Sequence, residues 1–235
     1  MKFHIISIFP QSFDSYLKES IIGRAIKNKF ISVKFYNPRD FIKAPKNNYK
    51  PVDDKPYGGG PGMVMRAEPI LKAIEKVVSK IKDKKKILII NFIPSAEKFT
   101  TTYAKTISKK YTDVILICGR YEGIDARVDK ILSAKGGSAS GGKNFKFKKF
   151  SIGDYVLTGG EIPAMILVDC VSRQIKGVLG KYESLEEERV SSSEVYTRPE
   201  ILKYKNNNYK VPKILLSGNH KKIEEWKKYL TKDSK

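Results

Sequence analysis

The chain is poor in several things on which proteins are commonly built. Its 235 residues include one Trp, two His and two Cys. Cys118 and Cys170 lie far apart, each inside an apolar run. They suit reduced core positions and support neither a disulfide framework nor a zinc site. Carboxylates are present without a metal-ligand pattern, so no metal residue is assigned and Mg²⁺ is left open. No apolar run approaches membrane-spanning length, and Met1-Lys2-Phe3-His4-Ile5-Ile6 has the pattern of a first strand, not a signal peptide. These absences point to the cytoplasm and away from a membrane. Acid is the other shortage: 25 Asp and Glu stand against 46 Lys and Arg, a formal charge of +21. That excess favours a polyanionic partner, nucleic acid before membrane, because no amphipathic anchor is visible. The bland alternative is compositional drift toward Lys and Asn, for which Lys-Asn-Asn-Tyr-Lys at 46–50 and the similar 205–210 are examples.

What the chain does have is alternation. Apolar strand patterns at 3–9, 31–36, 86–93 and 113–118 are separated by helical periodicities at 13–18, 21–29, 68–81 and 103–109. Such alternation predicts an α/β fold, a parallel sheet with helices on both faces. In these sheets ligands sit beyond the carboxyl ends of the strands. Two loops at such ends stand out, Pro94-Ser95 and Gly119-Arg120-Tyr121-Glu122-Gly123.

A third stretch organises the rest: Ser151-Ile152-Gly153-Asp154-Tyr155-Val156-Leu157-Thr158-Gly159-Gly160-Glu161-Ile162-Pro163. Its strand-like centre is flanked by glycines, and its proline immediately precedes an expected helix at 164–175. Backbone polar groups there are free to face a ligand at close range, which suits a nucleoside-type cofactor. A fourth loop, Pro56-Tyr57-Gly58-Gly59-Gly60-Pro61-Gly62, is too stiff for a spacer. It has neither the Gly-Lys-Ser/Thr ending of a triphosphate loop nor a dinucleotide spacing. The segment 133–149 is a Gly/Ser-rich insertion followed by a basic, aromatic ribbon, either a solvated insertion or an RNA-contacting edge. Residues 180–195 have the composition of a mobile linker. Tyr196-Thr197-Arg198-Pro199-Glu200 is expected to open a helix in a small basic tail.

Several motifs occur together and in order. They are Ile5-Ile6-Ser7-Ile8-Phe9-Pro10, Asn37-Pro38-Arg39-Asp40, the glycine loop, Cys118-Gly119-Arg120-Tyr121-Glu122-Gly123-Ile124-Asp125 and the organising stretch. Val171-Ser172-Arg173, Gly177-Val178-Leu179-Gly180, Tyr196-Thr197-Arg198-Pro199-Glu200 and Leu215-Leu216-Ser217-Gly218-Asn219-His220 follow. Over almost its whole length the chain thus resembles the bacterial tRNA (guanine-N1)-methyltransferase family TrmD, of the SPOUT class. The resemblance implies a deep C-terminal trefoil knot in a domain at 1–179, a mobile linker at 180–195 and a small, mainly helical tRNA-binding domain at 196–235. It implies S-adenosyl-L-methionine as methyl donor, tRNA as partner, and a homodimer with each active site at the subunit interface. The product would be guanine methylated on N1 at position 37, next to the anticodon. Pro94, Ser95, Gly119, Tyr121, Glu122, Ser151, Ile152, Gly153, Asp154, Tyr155, Val156, Leu157, Gly159, Gly160 and Pro163 would hold the donor.

The reaction needs a base for the N1 proton and a donor for the charge that spreads onto O6. By resemblance the donor is Arg173. The family's base is an aspartate in the linker, and alignment from Gly180 puts Glu188 there, in Ser184-Leu185-Glu186-Glu187-Glu188-Arg189-Val190. Glu187 is one register slip away. Asp169 is a distant second choice, read as structural and ion-paired with Arg173 on one helix. The linker is shorter than the family's and lacks the Asp-x-Pro-His before Tyr196. That change keeps two alternatives alive: a related knotted methyltransferase acting elsewhere on RNA, and a non-catalytic RNA-binding protein.

Overall fold

A computed structural model describes residues 1–43, 49–134, 145–180 and 194–232. The chain divides into two compact units, Met1–Val178 and Leu179–Lys235.

The first unit is built on five parallel strands: β1 (Lys2–Ile6), β2 (Ser32–Tyr36), β5 (Ile87–Phe92), β6 (Asp113–Ile117) and β7 (Lys146–Phe150). Two short strands, β3 (Asp53–Asp54) and β4 (Val64–Met65), pair with each other in a separate ladder. The main order is β2-β1-β6-β5-β7. All five residues of β6 are buried, as an apolar strand between two neighbours should be. Side chains alternate across the sheet and so create two cores. Phe3, Ile5, Leu88, Ile90, Val114 and Leu116 face one way. They meet α1 (Asp14–Leu17), α2 (Ser20–Lys27), α4 (Thr101–Lys110) and α6 (Glu161–Arg173). Ile6, Ile87, Ile89, Ile115 and Ile117 face the other way, onto α3 (Ala67–Ser79) and α5 (Arg127–Ser133). Helices therefore cover both faces of a parallel sheet.

Two expectations need correction here. The organising stretch holds no strand: between the bridges at Ser151 and Gly159 it is irregular backbone. Its apolar residues lack the flanking partner that would pair them. Helix α6 begins at Glu161, so Pro163 lies in its first turn, not ahead of it. The first N–H groups of a helix have no intrahelical acceptor, so proline costs nothing there. The ribbon after the insertion is the edge strand β7, bonded among the described residues to β5 alone. Residues 135–144 of that insertion lie outside the described residues.

The second unit has a hairpin, β8 (Ile201–Tyr204) and β9 (Asn207–Lys210), then α7 (Lys213–Leu216) and α8 (His220–Lys232). The helix expected to open at 196–200 is a strand approach instead. Tyr204 pairs with Asn207 across a two-residue turn, with Lys205 at φ +54°. The Lys-Asn-Asn-Asn run is therefore turn chemistry as well as composition.

Candidate active site

The loops after β5, β6 and β7 surround a cavity of about 480 Å³, within the range of small-molecule sites. From β5 it takes Asn91 and Phe92, with Ile93 and Pro94 beyond. After β6 come Gly119, Arg120, Tyr121, Glu122, Gly123 and Ile124, with Ala126 and Asp129 at α5. From β7 onward it takes Phe150, Ser151, Ile152, Tyr155, Val156, Leu157, Thr158, Gly159, Gly160 and Pro163.

Backbone contacts shape this crevice. The loop after β7 crosses the one after β6: Gly160 N–H donates to the Gly119 carbonyl at 2.8 Å, and Gly159 bridges Arg120. A Cβ on Gly160 would stand 2.6 Å from the Cys118 α-carbon, so no other residue fits without moving backbone. Burial and the nearby Glu161 push the Cys118 thiol well up, leaving it inert as a nucleophile. Tyr121 sits at φ +60°, an uncommon conformation for a bulky residue and one that occurs at ligand-clamping loops. The glycine loop at 58–62 joins from the side. The Met63 carbonyl accepts from Glu122 N–H at 3.0 Å, and a Cβ on Gly62 would meet the Glu122 side chain at 2.7 Å.

One buried carboxylate fastens these loops. Glu161, 3% exposed, opens α6 where the helix dipole favours negative charge. Ser7 Oγ donates to its Oε1 at 2.7 Å. Arg120 Nε lies 2.9 Å from its Oε2, but the two are misaligned as donor and acceptor, so this contact is Coulombic. The Arg120 guanidinium lies 4.8 Å from the Phe9 ring centre and donates through Nη1 to the Thr158 carbonyl at 3.4 Å.

The model of the family described as tRNA (Guanine-1)-methyltransferase TrmD aligns with residues 1–234. The chain belongs to the TrmD family. It is similar to the tRNA (guanine-N(1)-)-methyltransferase of Clostridioides difficile strain 630, at 42% identity over 97% of this chain and 91% of that protein. The Buchnera aphidicola protein of the same name is 41% identical over 96% of this chain and 87% of its own. That of Pseudoalteromonas atlantica is 40% identical over 96% and 78%.

For this TrmD-family chain, the expected donor residues mostly meet in the cavity. Pro94, Gly119, Tyr121, Glu122, Ser151, Ile152, Tyr155, Val156, Leu157, Gly159, Gly160 and Pro163 all line it. Ser95, Gly153 and Asp154 are not on its wall. Ser95 is exposed, and Asp154 points outward to an ion pair with Lys98. Gly153 acts from behind, because a Cβ there would run into the Tyr155 ring at 2.3 Å. Arg173 is not brought to the cavity. It ends α6, about 15 Å along the helix from Pro163 at the usual rise. Nor does it pair with Asp169, which instead accepts from the Tyr16 hydroxyl; that bond pushes the Tyr16 pKa up to about 12. Glu187 and Glu188 lie outside the described residues. Among the described residues, no group of three or more His, Cys, Asp or Glu could hold a metal ion. No described helix is long and apolar enough to cross a membrane.

Sequence reasoning gave no role to Asn91, Asp129, Arg120 or Glu161. Asn91 breaks an apolar strand and is 3% exposed, donating to Asp129 at 2.9 Å. That break is a legible signal: a polar residue within a buried strand must find a partner. Arg120 and Glu161 lie inside quoted motifs, but nothing in their spacing of 41 positions says that they meet.

Proposed function

We propose that the chain methylates N1 of guanine in tRNA, at position 37 beside the anticodon, with S-adenosyl-L-methionine as donor. The observation carrying this reading is the crevice where the loop after β7 crosses the loop after β6, in a chain of the TrmD family. The cavity fits the donor. Its walls combine apolar Ile93, Phe150, Ile152 and Leu157 with glycine backbone. The N–H groups of Tyr155, Val156 and Leu157 form no backbone hydrogen bond among the described residues, so they are available to a purine edge. Bound there, S-adenosyl-L-methionine would supply a methyl group on a cationic sulfur. The crossing loops support the family's trefoil knot as the reading of this topology.

The chain's own chemistry acts on the guanine. Glu188 takes the N1 proton, turning a poor nucleophile into a good one. Arg173 donates to O6, where the negative charge collects. Arg173 stands at the far end of α6 from the cavity, so a second subunit would have to supply one half of the site. Val156 and Ile162, 82% and 51% exposed beside the cavity, favour such a homodimer. The net charge of +21 suits tRNA as partner, and the domain at 196–235 is read as tRNA-holding. A cytoplasmic location follows from that substrate.

The test is to incubate the protein with labelled S-adenosyl-L-methionine and unmodified tRNAs, with and without guanine at position 37, and to map the label. Label on N1 of G37 alone is the expected result. Label at another RNA position would transfer the chain to a related knotted methyltransferase activity. No label on any RNA would leave an RNA-binding protein.

A further inference from the structure

We propose that Ser7, Arg120 and Glu161 are positioning residues, a buried clasp that sets the shape of loop 151–160 for the methyl donor. The proposal rests on the reading of the cavity as the donor site.

The three residues come from three separate places: just after β1, the loop after β6 and the first turn of α6. They meet against the crossing loop. Arg120 reaches the carbonyl of Thr158, and a Cβ on Gly159 would come within 2.5 Å of Arg120 Nε and 2.7 Å of Glu161 Oε2. The backbone of the crossing loop is thus pressed directly against the ion pair. Phe9 closes the other side of the guanidinium, and its own N–H is held by Ser7 Oγ at 2.9 Å.

This arrangement is expensive if its purpose is stability alone. Taking the Glu161 carboxylate out of water, with the Arg120 guanidinium only partly exposed beside it, is costly, and apolar residues of similar size often do as well or better. Both Arg120 Nε and Glu161 Oε2 are buried without an aligned hydrogen-bond partner, so the pair does not repay that cost with good geometry. What it supplies instead is direction. A planar guanidinium, held on one side by a ring and on another by a carboxylate, fixes where the Thr158 carbonyl points. The neighbouring N–H groups at 155–157 are the ones free to meet a ligand.

The test compares full-length wild type with E161Q, R120K and R120M/E161L. Amide hydrogen exchange at Gly160, whose N–H is bonded to the Gly119 carbonyl at the crossing, calorimetric binding of S-adenosyl-L-methionine and thermal unfolding are measured for each without other ligand. E161Q and R120K should exchange faster at Gly160 and bind the donor at least about tenfold more weakly, a difference of about 1.4 kcal/mol. R120M/E161L, which leaves Ser7 without its acceptor but removes the unpaired charge, should regain part of any thermal midpoint lost in the single variants while keeping the weak binding and fast exchange. Should E161Q fold poorly, R120K carries the same comparison, because the Arg120 side chain is partly exposed. Unchanged exchange at Gly160 in both single variants would overturn the clasp. So would an affinity that simply follows the thermal midpoint across the set. Failure of wild type to bind the donor, with exchange altered as expected, would instead overturn the reading of the cavity.

Discussion

The two ends of the central sheet each bury a carboxylate, and they use it differently. At the amino end, Asp113 is 4% exposed and 2.9 Å from His4 Nε2, with Thr112 Oγ1 donating to its other oxygen at 2.9 Å. Tyr36 stands 3.4 Å from the other ring nitrogen, and the N-terminal amine is fixed to the Phe30 carbonyl at 3.0 Å. His4, Asp113 and Tyr36 all belong to strands that are already bonded into the ladder. At the carboxyl end, Glu161 joins loops that have no ladder of their own. The amino-end network seals a structure that exists without it, whereas the carboxyl-end network helps make the structure it serves. The lesson is that burial alone does not mark a functional carboxylate; what it fastens does.

The largest expected effect lies beyond both networks. Glu188→Gln should lower methyl transfer by about 10²- to 10⁴-fold, the usual weight of a general base, while sparing donor binding and the thermal midpoint. Single-turnover transfer of labelled methyl measures it, and normal turnover would remove Glu188 as the base. Next comes a matched pair of structural lesions. Gly160→Ala forces backbone apart at the crossing, and Asp113→Ala strands His4 without its acceptor. Each should cost about 1–3 kcal/mol in denaturant unfolding. Only Gly160→Ala should also impair donor binding. Equal loss of binding in both would erase the contrast between the two ends.

A smaller effect concerns pH. Burial lowers the His4 pKa below its ordinary 6.5, more than the bond to Asp113 raises it. The folded state therefore binds this proton less readily than the unfolded chain. Stability from this source is full above about 6.5 and falls as pH drops through that value toward the lower folded pKa. The thermal midpoint should decline over that window, and His4→Gln should flatten the decline. An unaltered profile in the variant would show that the neutral ring is not what acid attacks.

The smallest expected effect is close to none. Tight dependence of tRNA binding on salt is expected from the basic charge. Yet Lys84, Lys85 and Lys86 lie at the amino end, just before β5. If tRNA is held at the carboxyl end, reversing these three charges should change the slope of log affinity against log salt by less than about 1. A drop of about 2 or more would put RNA on the amino end too.

Much of this fold is legible in the sequence because local rules and the global answer agree. Apolar runs at 86–93 and 113–118 can only be strands buried on both faces, and their ends point to the loops that form the cavity. The hairpin at 201–210 escapes such rules because its turn is Lys-Asn, not the Asn-Gly that makes such a turn obvious. Pro163 falls inside α6 although proline reads as a boundary, because the first helical turn tolerates it. Arg173 and the cavity are expected together, and one chain keeps them apart by the length of a helix.

By itself the sequence determined what depends on neighbours along the chain: strand and helix periods, the shaped glycine loops, the excess of positive charge and the motif order of the TrmD family. Tertiary structure alone decided what depends on distant residues meeting. It put Ser7, Arg120 and Glu161 within reach of one another, gave Asn91 its partner in Asp129 and turned Asp169 toward Tyr16. Periodicity reports which face a residue takes, but an ion pair 41 positions apart exists only after the loops have crossed.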